Sequence, residues 1–250
     1  MYLKDFLKFY LLLKFSNEPV EKHKEKLLEF LENYLTEHKR QLFEEVLFFR
    51  TNHFTVALED LYQDHNTGAI ARTCDCFGIQ EMYVIENHYR DKITNRIAKG
   101  AQKWVDVNVF DKEDQKNTQH CIDKLRAKGY KLIATTPHQS DCLLPNFDIH
   151  DKSAFFFGAE KKGLSDTVLE QADGFLKIPI LGFTESFNVS VSAAIILNEL
   201  TQRLHKSKDI DWHMTEEEIL DKKIEWTLKT VKGGKKLVKY FKERISKLGK

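Results

Sequence analysis

The sequence has little proline, four residues in 250, and no low-complexity stretch, which excludes collagen-like, fibrous and disordered classes. It has four cysteines, Cys74, Cys76, Cys121 and Cys142, with no CxxC pair and no histidine at zinc spacing. A disulfide framework is therefore not expected, and the thiols read as reduced and mostly packed. No apolar run approaches the roughly 20 residues needed to span a bilayer. The N-terminal MYLKDFLKFYLLLKF is broken by Lys4, Asp5, Lys8 and Lys14, and no small-residue cleavage site follows, so it does not read as a signal peptide. A cytoplasmic protein is expected. No GxGxxG turn of a dinucleotide site is present. The ten histidines sit at unrelated spacings, so neither a metal nor a catalytic histidine is expected, and no carboxylate pair supports hydrolysis.

The net charge is only +1, yet the charge is unevenly spread. From Lys222 to Lys250 eleven Lys or Arg face two acidic residues, Glu225 and Glu243, a local balance of +9. With Trp226, Tyr240 and Phe241 interleaved, this tail suits a phosphate backbone with some aromatic contact, and Lys232, Lys235, Lys236 and Lys239 are its candidate phosphate-binding residues. A solvated basic helix is the other reading.

Residues 1 to 50 carry apolar positions at helical spacing, such as Leu27, Leu28, Leu31 and Leu35, and read as an N-terminal helical extension of two amphipathic helices. The texture then changes. Short β-rich runs at residues 55–61, 82–87, 105–110, 131–136, 154–160 and 175–180 alternate with helical patterns at 66–76, 119–128, 165–172 and 188–206. Several runs are nearly all apolar, as strands covered on both faces must be. The pattern implies an α/β domain over 51–206 with a mainly parallel sheet, helices on both faces and its site beyond the carboxyl ends of the strands. Residues 207–221 read as a connector into the C-terminal helices, within a basic extension spanning 207–250.

Three segments place glycine or polar residues where a strand gives way to a helix. The first is Asn66-Thr67-Gly68-Ala69-Ile70-Ala71-Arg72-Thr73-Cys74. Asn66 is a natural N-cap, and Arg72, about one and a half turns further on, offers bidentate contact to a phosphate. A surface ion pair with Asp75 is the alternative use of Arg72. The second runs from Phe155 to Ser165, an apolar strand ending in Gly158, where backbone can approach a ligand closely. Its Glu160 and Ser165 fit equally well as caps of the next helix. The third runs from Ile178 to Ser192, entering a helix whose start is lined by Ser186, Asn188, Ser190 and Ser192. N-capping accounts for one of these four residues, and a polar pocket accounts for all.

Together, N-x-G-A-I-x-R-T-C, F-G-A-E-K-x-G-L-S and I-P-I-x-G-x-x-x-S-F-N-V-S-V-S closely resemble the three motifs of the SPOUT methyltransferases, and in particular the TrmH branch that methylates RNA ribose 2'-hydroxyls. The likeness extends from about Arg50 to Gln202, including GAQKWVDV at 100–107 and IATTPHQS at 133–140. Helical extensions at both ends of one catalytic domain make the chain most similar to the tRNA guanosine-18 enzymes of that branch.

The resemblance implies a deep trefoil knot in the C-terminal half of the domain, with S-adenosylmethionine bent within it. Thr135, Gly158, Ile178, Ile180, Leu181 and Phe187 match the cofactor-binding positions. Relatives often carry Leu where Phe187 stands, which implies a slightly different pocket wall. Arg72 matches the catalytic residue, and Asn66, Glu160, Ser186 and Asn188 complete the site. Arg72 has two candidate roles, as base or as electrostatic stabiliser; because a guanidinium rarely yields its proton, holding the target phosphate and the developing alkoxide is the preferred one. The resemblance further implies a homodimer in which Arg72 of one subunit serves the knot of the other, an RNA partner, most readily tRNA, and no role for DNA. Ribosomal RNA as target and a noncatalytic RNA-binding protein are the rival readings.

Overall fold

The computed structural model describes residues 20–87, 100, 103–112, 116–138, 141–160 and 162–248. The N-terminal apolar stretch and residues 101–102 of the GAQKWVDV segment lie outside these. The described chain forms two compact units, one from residues before Arg50 together with those after His213, the other from Arg50 to His213.

The larger unit is built on a seven-stranded sheet with the order β3-β2-β1-β6-β4-β7-β5. Its strands are β1 (Phe54–Glu59), β2 (Glu81–Ile85), β3 (Asp106–Phe110), β4 (Lys131–Thr135), β5 (Cys142–Leu143), β6 (Ser153–Phe157) and β7 (Gly174–Lys177). Every pairing between them is parallel, as in Ala57 opposite both Tyr83 and Phe156. All six residues of β1 and all five of β6 are buried, because helices cover both faces and leave no side to be polar. One face packs Val56, Leu58, Phe155 and Phe157 against α3 (Asp64–Cys76) and α6 (Val189–Lys206). The other packs Ala57, Tyr83, Leu132 and Phe156 against α4 (Asn117–Ala127) and α5 (Asp166–Gln171).

The strand signals lie where the apolar β-rich runs predict them, with ends displaced by a few residues. The run at 154–160 ends as a strand at Phe157, and the run at 175–180 ends at Lys177, so Gly158, Glu160, Ile178 and Ile180 stand beyond the strand ends in loops. Two-residue β5 has no periodic signal.

The smaller unit contains α1 (Val20–Glu32), α2 (Glu37–Phe48), α7 (Glu216–Thr230) and α8 (Gly234–Leu248). Leu27 and Leu31 of α1 pack with Ile224 of α7 and Val238 of α8. The buried ammonium of Lys24 bridges Glu217 at 3.0 Å and Asp221 at 2.7 Å, tying the two ends of the chain together. Residues 207–221 are not a connector throughout. Helix α7 begins at Glu216 behind a reciprocal capping box of Thr215 and Glu218, which satisfies two otherwise orphaned donors. Residues 207–213 belong with the sheet: Trp212 is buried in its core, and its carbonyl accepts the Thr51 hydroxyl at 2.5 Å.

Candidate active site

The carboxyl ends of β1, β6 and β7 deliver the three polar segments. Asn66 does not cap α3. The helix starts two residues earlier, with Gln63 at the cap position, and Asn66 is buried within the first turn. Its side chain is used across the sheet instead: Nδ2 donates to Glu160 Oε1 at 2.5 Å, and Oδ1 accepts from Asn188 Nδ2 at 3.3 Å. Asn188 caps α6, accepting from the backbone N–H of Ser190 at 2.8 Å and its hydroxyl at 2.6 Å. One residue from each segment thus meets in a single hydrogen-bonded cluster, with Glu160 and Asn188 open to solvent.

Gly158 has a steric reason to be glycine. A Cβ there would lie 2.2 Å from the Gly163 carbonyl carbon and 2.4 Å from the Leu164 nitrogen, because the chain turns back across it. The turn closes through Gly163 N–H to the Ala159 carbonyl at 2.8 Å, with Gly163 at φ +71°, which L side chains resist. Ser165 does not cap α5 with its side chain; its hydroxyl and N–H both donate to buried Glu59 at 2.8 Å. Glu59, at the end of an otherwise apolar run, escaped the sequence reading, although a carboxylate closing a buried strand is itself a signal.

Arg72 is exposed on α3 and takes no part in the cluster. Six residues beyond Asn66 turn the helix by about 600°, so the two side chains face different ways. The ion pair with Asp75 does not form either: Asp75 is taken by buried Arg50, which also donates to the Ile79 carbonyl at 3.3 Å. Arg50 thus takes the structural partner, leaving Arg72 with no ion pair among the described residues.

Thr135 ends β4 with its hydroxyl donated to the Phe156 carbonyl at 2.6 Å, locking β4 to β6 at the site's edge. Ile178 and Ile180 are half-buried, Phe187 is 42% exposed and Leu181 fully exposed. Ser186 is exposed, and no side-chain bond joins it to the Asn66 cluster. From Ile180 to Phe187 no main-chain hydrogen bond forms among the described residues. A loop with open N–H and C=O groups beside apolar Ile178, Ile180 and Leu181 matches the needs of a flat, polar-edged adenine.

The profile of the SpoU rRNA Methylase family matches residues 53–198, more than half the chain and all three polar segments. This chain belongs to that family. Among curated relatives, the Borreliella burgdorferi tRNA (guanosine(18)-2'-O)-methyltransferase is 36% identical over 202 residues, covering 81% of this chain and 90% of its own length. The Thermus thermophilus protein of the same name is 35% identical over 172 residues, covering 69% of this chain and 86% of its own. Among solved structures, the Aquifex aeolicus TrmH/SpoU tRNA modifying enzyme superimposes with a TM-score of 0.66 at 28% identity, covering 78% of this chain and 98% of that one. A SpoU methyltransferase from Streptomyces viridochromogenes, crystallised with its cofactor AdoMet, shares the fold at a TM-score of 0.54 and 22% identity.

The basic extension is only partly as expected. Lys232, Lys235, Lys236 and Lys239 are exposed and make no ion pair among the described residues. Lys222 and Lys229, by contrast, are paired with Glu225 at 2.7 and 2.6 Å, and Lys223 with Glu44. Trp226 is buried edge-on against Phe43 at 5.5 Å, and Phe241 packs on Phe30 at 5.2 Å, so of the three interleaved aromatics only Tyr240 is exposed. An aromatic at helical spacing is used here for the core.

Proposed function

We propose that this chain transfers the methyl group of S-adenosylmethionine to the ribose 2'-hydroxyl of a tRNA guanosine, the activity that names its relatives. The observation that carries the reading is the meeting of Asn66, Glu160 and Asn188, contributed by three segments of the matched domain, at the strand ends. Residues 50–213 are the catalytic domain in this reading. The helical unit supplies Lys232, Lys235, Lys236 and Lys239 to the RNA backbone. tRNA as substrate implies a cytoplasmic site of action.

The bound cofactor supplies an electrophilic methyl group on a sulfonium. The protein's task is chiefly alignment of the ribose oxygen with that methyl carbon. Thr135, Gly158, Ile178, Ile180, Leu181 and Phe187 hold the cofactor, and Ser186 and Asn188 line the approach of the ribose. Glu160, held by Asn66 through Oε1 and exposed to solvent, is the carboxylate of the site. Arg72 remains a cation throughout, holds the target phosphate bidentately and stabilises negative charge as the 2'-hydroxyl passes its proton to solvent water.

Because Arg72 faces away from the cluster of its own chain, we place it in the site of a second copy. Beside it, Ala69 and Thr73 of α3 and Phe77 just past its end join Val191, Ala194 and Ile195 of α6 in lining a shallow, mostly apolar groove of about 430 Å³. Such a face suits a homodimer interface. The carboxyl half of the sheet is proposed to close a deep trefoil knot, an exception to the usual rule. In support, each connection from β4 onward passes at least one other strand in the order β6-β4-β7-β5.

The test is labelled methyl transfer to unmodified tRNA and, in parallel, to ribosomal RNA. Label in tRNA supports the proposal. Label only in ribosomal RNA, the substrate in the family's own description, moves the target, and label in neither leaves a noncatalytic RNA-binding protein.

A further inference from the structure

We infer that Glu59 is a positioning residue for cofactor binding, acting through the turn that carries Gly158 and Glu160. The inference rests on the reading above that this turn borders the cofactor site.

Glu59 closes β1 and is 2% exposed. Its Oε2 accepts the Ser165 backbone N–H at 2.8 Å, while Oε1 accepts the Ser165 hydroxyl at 2.8 Å and the Thr118 hydroxyl at 2.7 Å. Thr118 in turn accepts from Asn87 Nδ2 at 2.9 Å, and Asn87 is held by Asp60, at 2.6 Å through its N–H. Asp60 sits at φ +49°, a conformation that nonglycine residues adopt rarely, and it turns the chain out of β1 just where the carboxylate must face α4 and α5. A carboxylate without solvent is tolerated because three donors surround it.

The turn is therefore fixed at three points. Gly158 and Gly163 close its neck by backbone contact, Asn66 holds Glu160, and Glu59 holds Ser165. Asn66 and Glu59 flank the same β1–α3 connection, so the element that carries the catalytic arginine also sets the turn. Among the described residues no other side-chain bond ties Ser165 to the sheet. Without Glu59 the turn keeps its neck and its Glu160 contact but loses its far anchor, so the stretch from Glu160 to Ser165 is held at one end only.

The experiment compares Glu59→Ala, Glu59→Gln, Ser165→Ala and Thr118→Val in the full-length protein, measuring melting temperature and separate KM values for S-adenosylmethionine and tRNA. Glu59→Ala is expected to raise the KM for S-adenosylmethionine at least tenfold with the KM for tRNA changed less than threefold. Glu59→Gln, which still accepts the Ser165 N–H and can donate to the two hydroxyls, should stay within threefold of wild type. Ser165→Ala, which keeps the N–H donor, should raise the cofactor KM a few-fold, and it decides the matter should Glu59→Ala fail to fold. Thr118→Val removes a buried bond to the same carboxylate, so it should lower the melting temperature while leaving both KM values unchanged. A folded Glu59→Ala protein with wild-type cofactor KM overturns the inference, as does a Thr118→Val protein whose cofactor KM rises as far as that of Glu59→Ala. Ile180→Asp separates the two readings: an unchanged cofactor KM there would show that the cofactor binds elsewhere and remove the basis of both.

Discussion

The side-chain amide of Asn66 joins Glu160 at 2.5 Å across 94 residues of sequence, linking the first turn of α3 to the turn after β6. This bond is buried on the Asn66 side and open on the Glu160 side, so it orients a carboxylate that still faces solvent. Asn66→Ala should leave the fold intact, since Asn66 does not cap α3 and its partners Glu160 and Asn188 are open to solvent. It should lower kcat by about 10- to 100-fold, on the order of 1.4–2.7 kcal/mol of transition-state stabilisation. Steady-state kinetics beside a thermal melt check it; a wild-type kcat would remove Asn66 from the site.

Gly158→Ala forces a Cβ into the returning backbone at Gly163 and Leu164. Since neither neighbour is the end of a flexible side chain, the whole turn must move. We expect S-adenosylmethionine affinity to fall by more than tenfold, measured by calorimetric titration, with the helical unit's far-UV signal retained. Gly158 with unchanged affinity on substitution would place the cofactor away from this turn.

Lys235 and Lys236 stand exposed at the start of α8 with no ion pair among the described residues. Replacing both by Ala should weaken tRNA binding about tenfold and reduce the slope of log affinity against log salt by roughly 1.5, while cofactor binding is unaffected. Equal salt slopes would exclude these lysines from the RNA interface.

His53 lies 7% exposed with Nε2 2.7 Å from the Ile149 carbonyl, and burial holds its pKa below the usual histidine value. The unfolded chain takes up a proton near pH 6.5, and the folded protein does so only at lower pH. Its contribution is complete above about pH 6.5 and is lost as pH falls from there through the folded value. Melting temperature should therefore decline from pH 7 to pH 5 in the wild type and more shallowly in His53→Gln; parallel declines would contradict the assignment.

Much of this architecture is legible in the sequence, for identifiable reasons. Runs such as Phe54–Glu59 and Ser153–Phe157 are buried on both faces, so their apolar continuity marks them, and the parallel sheet follows from the helices between them. The three site segments are legible because glycine and short polar residues interrupt apolar patterns at the strand ends. What the sequence misassigns are the uses of individual side chains. Asn66 has the composition of an N-cap, yet α3 begins earlier and frees its amide for Glu160. Asp75 is an obvious partner for Arg72 by spacing, but Arg50, distant in sequence, takes it. Trp226 and Phe241 belong to a core formed between the two ends of the chain, a pairing that no local pattern encodes. Thr215 with Glu218 is a legible capping box that announces α7 within a stretch read as a connector.

The central claim is methylation of a ribose 2'-hydroxyl at the guanosine named for the relatives, nucleotide 18 of tRNA. Its most direct test is transfer of labelled methyl from S-adenosylmethionine to two synthetic tRNAs differing only at that nucleotide, guanosine in one and 2'-deoxyguanosine in the other, with wild-type and Arg72→Ala protein. The account predicts one methyl per guanosine tRNA, recovered as 2'-O-methylguanosine, none with the deoxy substrate, and a rate about 100- to 1,000-fold lower for Arg72→Ala. Equal labelling of both tRNAs, or an unimpaired Arg72→Ala protein, would contradict it.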